Sequence, residues 1–151
     1  MKRSYLKRKT ALRSQSKSPR SKAKKKAWDM FSKYIRLRDA LLTTGTDYEA
    51  ECVTCRRRYP INKMQAGHFI PGRSNAVLFD EYGVHSQCVQ CNIFKSGDAL
   101  TYRQRMVEKY GEEEVKEMEI LAKVSKKIHL YEFPMIYEFY KNAYSELGGV
   151  V

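Results

Sequence analysis

Cys52-Val53-Thr54-Cys55 and Cys88-Val89-Gln90-Cys91 are two C-x-x-C pairs, separated by thirty-two residues. A two-residue gap lets both thiolates of a pair reach one tetrahedral ion at about 2.3 Å. Two such pairs complete a closed, all-thiolate zinc site, and there is no fifth cysteine to compete. A redox C-x-x-C or an iron–sulfur cluster are the alternatives, but a redox motif does not normally come as a matched pair. With four thiolates on one ion no coordination position stays open, so the zinc, one per chain, is expected to be structural. Binding energies of such sites run to about 10–16 kcal/mol, comparable with the stability of a whole domain.

The segment between the pairs is turn-rich. Met64 to Ile70 alternates enough for a strand, Pro71-Gly72-Arg73-Ser74-Asn75 reads as a turn, and Ala76 to Phe79 as a second strand. Together they predict a hairpin. Upstream, Trp28, Phe31, Ile35 and Leu42 lie near one stripe of an amphipathic helix over 27–42, with Arg36 and Arg38 on or near its outer face. Downstream the pattern is helical. Asp98 suits an N-cap before Ala99 to Tyr110, and Gly111 a stop. Glu112, Glu113 and Glu114 open a further helix that runs through Ile128, with Lys126 and Lys127 near its end. Pro134 begins a last one. The expected fold is small and α+β: a basic disordered arm (1–26), a helix plus zinc core (27–97) and a helical C-terminal region (98–151).

Charge divides the 151-residue chain sharply. Residues 1–26 hold 12 Lys/Arg and no acid, leaving 17 basic and 17 acidic side chains in the rest of a molecule of formal charge +12. Seventeen of the 18 aromatics follow the arm. A block of this kind repels itself until an anion neutralises it, and attracts phosphate by counterion release. Lys24, Lys25 and Lys26 end it. The bland reading is a solubilising tail. Membrane spans are excluded by the lack of a long apolar run, and no apolar segment follows the basic N-terminus as a secretory signal requires. The expectation is a non-secreted protein with no membrane and no small-molecule substrate, in which four cysteines are unsuited to disulfides.

Ala66-Gly67-His68-Phe69-Ile70-Pro71 sets a histidine on the first hairpin strand, and Cys91-Asn92 an asparagine in the element that carries the second knuckle, with Lys95 three residues on. Zinc links the two elements, an arrangement compatible with a ββα-metal nuclease site. Gly67-His68 with Cys88-x-x-Cys91-Asn92-x-x-Lys95 resembles the HNH, or His-Me finger, endonuclease pattern. More closely, Gln65 through Pro71, Phe79-Asp80-Glu81 and His85 through Gly97 resemble the phage recombination endonucleases called NinG or Rap. Ile35-Arg36-Leu37-Arg38-Asp39 and Tyr102-Arg103 fit as well, and the likeness covers about residues 28–128.

That resemblance implies a metal-dependent, structure-selective endonuclease for branched DNA such as Holliday junctions, working in the bacterial host cytoplasm if phage-encoded. It implies His68 as general base, a role suited to a neutral imidazole of ordinary pKa near ~6.5. It implies Asn92 as a ligand of catalytic Mg²⁺, or Mn²⁺ in its place, and products with a 5′ phosphate and a 3′ hydroxyl. Two positions depart from the pattern. Gly67 stands where many members have Asp or His, and Gly83 where many have Asn. His85 is the first candidate for the second metal ligand, with Asp80, Glu81 and Asp98 behind it. Hard cations prefer oxygen, which counts against a histidine. Lys95, Arg73 and Arg56-Arg57-Arg58 are candidate phosphate contacts. Tyr137, Tyr140 and Tyr144 either close the chain's own core, the default, or build a homodimer interface. The competing functions are a zinc-containing DNA-binding or recombination-mediator module that does not cut, and an RNA- or ribosome-associated zinc protein.

Overall fold

The computed structural model describes residues 17–71 and 75–150. Four α-helices surround two small antiparallel sheets: α1 (Pro19–Thr44), β1 (Glu49–Glu51), β2 (Arg58–Pro60), β3 (Met64–His68), β4 (Val84–Cys88), α2 (Ala99–Tyr110), α3 (Glu112–Leu121) and α4 (Glu132–Glu146). A 3₁₀ turn over Ile61–Lys63 leads into β3, and a π-helical turn over Gln90–Phe94 follows β4.

Helix α1 begins at Pro19, so the expected boundary between arm and body at residue 26 falls inside it. Lysine and arginine are good helix formers, and a charge run hides a helix that shows no apolar period. Ser18 caps the start by accepting from the Ser21 N–H (3.2 Å), and Pro19 sits in the first turn, where its missing N–H costs nothing. Gly45 ends the helix in the left-handed region at φ 71°. Phe31 and Ile35 are buried as expected, but Leu42 is 70% exposed. Arg38 turns inward rather than out.

The hairpin is not the predicted one. β3 pairs with β4, in register Met64↔Cys88, Gly67↔His85 and His68↔Val84. Ala76–Phe79 forms turns instead, and Val77 and Leu78 bury themselves without a ladder. β4 is buried along its whole length, polar residues included. It therefore lacks the alternation that marks a half-exposed strand.

One face of the hairpin packs on α1: Ala66 and Val84 join Met30, Phe31, Ile35 and Tyr140. Phe69, just past β3, packs with Tyr102 and Met106 of α2 and with Val115 and Met118 of α3. Helix α4 lies along α1, so Tyr137, Tyr140 and Tyr144 pack within the chain. Helix α3 stops at Leu121, short of the expected end near Lys127, and α4 begins at Glu132, before Pro134. Ile128 is buried against Ala27, Leu78 and Phe133 from the connection between them.

Candidate metal centre and adjoining cleft

Strand β1 delivers Cys52, a tight turn delivers Cys55, β4 ends on Cys88, and the π-helical turn contains Cys91. Each knuckle has its own local lock. The Arg56 N–H donates to the Cys52 carbonyl (2.9 Å), with Arg56 at φ 60°, and the Cys52 N–H donates to Arg57 O (2.9 Å). The Cys88 N–H donates to Cys52 Sγ at 3.3 Å, and the Val53 N–H to Ser86 O at 2.9 Å, so the two knuckles are tied directly.

The four Sγ atoms lie within 4.8 Å of one another. Cys55 and Cys88 Sγ are 3.9 Å apart. Thiolates ~2.3 Å from one tetrahedral ion sit about 3.8 Å apart, whereas a disulfide needs about 2.0 Å. All four cysteines are free, and three are buried. In the absence of a cation, burial pushes the Cys52 and Cys91 thiols up. A soft divalent ion held by the four sulfurs would make their deprotonated forms compatible with that setting, and with no open position it would serve structure.

His68 ends β3, half-buried. Its ring stacks on Trp28 (centroids 4.9 Å, 15° between planes), and Nε2 lies 3.1 Å from the Leu78 carbonyl. A carbonyl only accepts, so this contact places a ring proton on Nε2. Asn92, in the π-helical turn, donates from Nδ2 to Gln65 Oε1 at 2.6 Å. It lines a cleft of about 390 Å³ with Trp28, Ser32, Arg36, Gln65 and Ile93. Trp28 thus borders the Asn92 cleft and carries the His68 ring. Arg36 is anchored by Nε to Ser32 O (3.2 Å) and by Nη1 to Ile61 O (3.0 Å).

His85 is not with them. It opposes Gly67, one residue out of step with the His68↔Val84 pair, and successive residues of a strand point to opposite faces. The His68 and His85 side chains therefore leave the hairpin on opposite sides. His85 is 2% exposed, with Nδ1 3.0 Å from Arg38 Nη2 and 3.3 Å from Asp39 Oδ2, and Nε2 3.1 Å from Tyr82 O and Tyr110 Oη. Burial holds its pKa below the ordinary histidine value, against the pull of Asp39. The structure gives it a bracing position in place of the expected metal-ligand position.

Asp39 is the centre of that brace, and the sequence reading missed it. At 4% exposed, it takes the Arg38 Nε and Nη2 donors on Oδ1 (2.9 and 2.7 Å) and the Ser86 N–H on Oδ2 (2.6 Å). Burial opposes its charge, but His85, Arg38 and Ser86 outweigh burial and hold its pKa below the usual carboxylate value. Arg38 also donates to the Glu81 and Val84 carbonyls (2.8 and 2.9 Å), stitching α1 to the start of β4. One signal was available: Asp39 continues the Phe31, Ile35 spacing, a carboxylate on an apolar stripe.

Two acid-side effects follow. Asp39, depressed in the fold, contributes stability above its unfolded pKa near ~3.9 that is lost as pH falls through the folded value. His85, also depressed, weakens the fold as pH drops below its unfolded value near ~6.5, where only the unfolded chain takes the proton. Asp39→Asn leaves Arg38 buried without its charge partner and is expected to cost about 3–5 kcal/mol. Urea unfolding at pH 7 measures this, and a cost under about 1 kcal/mol refutes the bracing role.

Gly67 is closed to side chains. A Cβ there would lie 2.2 Å from Gln87 Oε1 and 3.0 Å from Gln87 Cβ. Gln87 cannot easily yield, because its buried Nε2 donates to Thr54 Oγ1 (2.6 Å) and Gly97 O (2.8 Å). Gln87 therefore fills the space beside the residue preceding His68. Gly67→Asp should overpack the hairpin, costing about 1–3 kcal/mol and supplying no metal ligand. Thermal melts and zinc content test it; a variant as stable as wild type would show that Gln87 moves aside.

The other expected ligands and contacts are occupied to differing degrees. Asp80 Oδ1 accepts from the Tyr82 N–H (3.1 Å), Glu81 accepts from Tyr34 Oη (2.8 Å), and Asp98 pairs with Lys95 (3.6 Å). Arg56 pairs with Glu108, and Arg58 reaches Glu49 at 4.0 Å. Arg57 is exposed beside the first knuckle. On α1, Lys24 meets Asn75 (3.5 Å), Lys25 pairs with Asp29, and Lys26 lies over the Tyr137 ring (4.2 Å). Arg73 and residues 1–16 of the arm lie outside the described residues. No helix among the described residues is long and apolar enough to cross a membrane.

These features define a small α+β protein in which four cysteines are gathered at the end of the hairpin, placed to hold one metal ion. The chain matches the family described as Bacteriophage Lambda NinG protein over residues 2–148, and it belongs to that family. It is 32% identical over 112 residues to protein ninG of Escherichia phage 933W, covering 74% of this chain and 51% of that one. The corresponding protein of Escherichia phage lambda is 31% identical over 112 residues, with 74% and 50% covered. That of Salmonella phage P22 is 32% identical over 112 residues, with 74% and 51% covered. The chain thus spans about half the length of the curated relatives it matches. No solved structure matches it.

Proposed function

We propose that this chain is a metal-dependent, structure-selective endonuclease that hydrolyses phosphodiesters in branched DNA, such as Holliday junctions arising in phage recombination. The reading assigns it to the HNH, or His-Me finger, class with a ββα-metal core. One observation carries it: Trp28 both stacks on His68 and lines the cleft that holds Asn92, so one side chain adjoins the histidine and the cleft of the asparagine.

The roles follow from the residues. His68 Nδ1 takes the proton from an attacking water while Nε2 stays fixed on the Leu78 carbonyl, which orients the ring. Asn92 Nδ2 is engaged by Gln65, leaving the amide oxygen as the atom suited to a cation. No carboxylate is among the residues that line the cleft, so Mg²⁺ there would rest on the Asn92 oxygen, water and the substrate phosphate. When bound, Mg²⁺ would supply charge stabilisation to the phosphate and the departing oxygen. Arg36, with Lys95, gives the cleft's surroundings positive charge for backbone phosphate. The arm adds sequence-independent attraction that weakens with salt. The site of action is the host cytoplasm.

The test is cleavage of a labelled four-way junction beside linear duplex in Mg²⁺. Junction-selective nicking leaving a 5′ phosphate is expected. Tight junction binding by zinc-replete protein with no cutting in Mg²⁺ or Mn²⁺ would replace this reading with that of a non-cleaving DNA-binding module.

A further inference from the structure

The π-helical turn that carries Asn92 also presents Ile93 and Phe94, 54% and 73% exposed. Scattered exposed apolar residues need no explanation. These two differ in how firmly they are held. The turn is anchored by Cys88 and Cys91 at its start. The Lys95 N–H donates back to Gln90 O (3.0 Å), Ser96 to Ile93 O (3.0 Å), Gly97 to Cys91 O (2.9 Å) and Asp98 to Lys95 O (2.9 Å). Gln87 clamps the Gly97 carbonyl. Ser96, Gly97 and Asp98 all have positive φ (51°, 87° and 48°), which bends the chain sharply behind the pair. Two non-glycine residues in that region cost energy, so the bend is imposed by its surroundings.

Chemistry beside the pair points to its occupant. Ile93 itself lines the Asn92 cleft with Arg36 and Trp28, while Phe94 is followed at once by the half-exposed Lys95. A flat apolar ring on a rigid turn, with Lys95 next in the chain and Arg36 in the cleft that Ile93 lines, matches a nucleobase face beside its backbone phosphate. In an intact duplex, base faces are covered by their neighbours. At the centre of an open branch point they are not, and apolar side chains can wedge between or against them.

We propose that Phe94, supported by Ile93, is a stacking wedge that engages exposed base faces at a DNA branch point and so supplies branch selectivity. It rests on the endonuclease reading only for its biological purpose; the stacking contact itself requires no cutting.

The experiment uses the full zinc-loaded chain without Mg²⁺. Binding is compared on a four-way junction and a linear duplex, with 2-aminopurine at the branch or ten base pairs along one arm. The wild type should prefer the junction and change emission from the branch probe but not the arm probe. Phe94→Ala, at an exposed position, should keep zinc and duplex affinity yet lose about 5- to 150-fold in junction preference, the range of one base–aromatic stack, together with the branch signal. Phe94→Trp should restore both. Unchanged preference and branch emission in Phe94→Ala would overturn the wedge. Absence of branch preference in a wild type that cuts DNA would overturn the wedge and the structure selectivity while sparing the nuclease chemistry. A branch signal that depends on Phe94, in a protein that cuts nothing, would support the wedge and remove the endonuclease.

Discussion

Stripping zinc with a strong chelator should unfold the segment from Cys52 to Gly97 and abolish the two-state melt of the chain. The magnitude comes from the site. Structural zinc contributes about 10–16 kcal/mol at neutral pH in small modules, while whole domains are stable by about 5–15 kcal/mol. The ladders of the zinc segment are too short to hold it by themselves, although one face of the hairpin packs on α1. β3 and β4 contribute five residues each, β1 and β2 three each, and isolated two-stranded units are marginal in water. Removing the ion also leaves four close sulfurs with no charge to balance their ionised forms. Zinc released on thiol modification should equal one ion per chain. Cys88→Ser should reproduce the chelated state, because it removes one of the four sulfurs placed to hold the ion. A chelated protein that melts as the native one does would make the cysteines a packing cluster.

The clustering of the four cysteines is legible in the sequence because each pair's geometry is local: a two-residue gap brings two sulfurs together. The hairpin is not, because pairing is a long-range choice. Val77 and Leu78 look like a strand and are buried like one, at 4% and 2% exposed, but they reach the core through turns. The strand that does pair reads Val84-His85-Ser86-Gln87-Cys88, with three polar residues that solvent never meets. They are buried because residues far away serve them: Asp39 for Ser86 and His85, Thr54 for Gln87. Such partners leave no periodic trace. Helix α1 was legible only from residue 27 because the lysine run before it carries no apolar stripe. His68 and Asn92 were found by motif, and their common neighbour Trp28 was read simply as a core residue. His85 was misplaced for a plain reason. Sequence proximity to Asn92 says nothing about which face of a strand a side chain occupies, and a shift of one residue reverses it.

His68→Ala should lower junction cutting by about 10²–10⁴-fold, the usual contribution of a positioned general base, with zinc content and junction affinity unchanged. Both halves of that expectation are needed. The ring stacks on Trp28 and contacts the Leu78 carbonyl, so a purely structural histidine would be missed through the loss of these contacts. A structural role would appear as a lower melting temperature and weaker binding, and cutting would fall only in proportion. A catalytic role would spare both and remove the rate. His68→Gly sharpens the distinction, because it vacates space beside the indole for free imidazole. If Nδ1 is the base, added imidazole should restore part of the cutting by His68→Gly and none in Asn92→Ala, whose defect lies in cation binding. Recovery of stability without recovery of cutting would assign His68 to packing. Cutting at the wild-type rate by His68→Ala would assign the base to another residue.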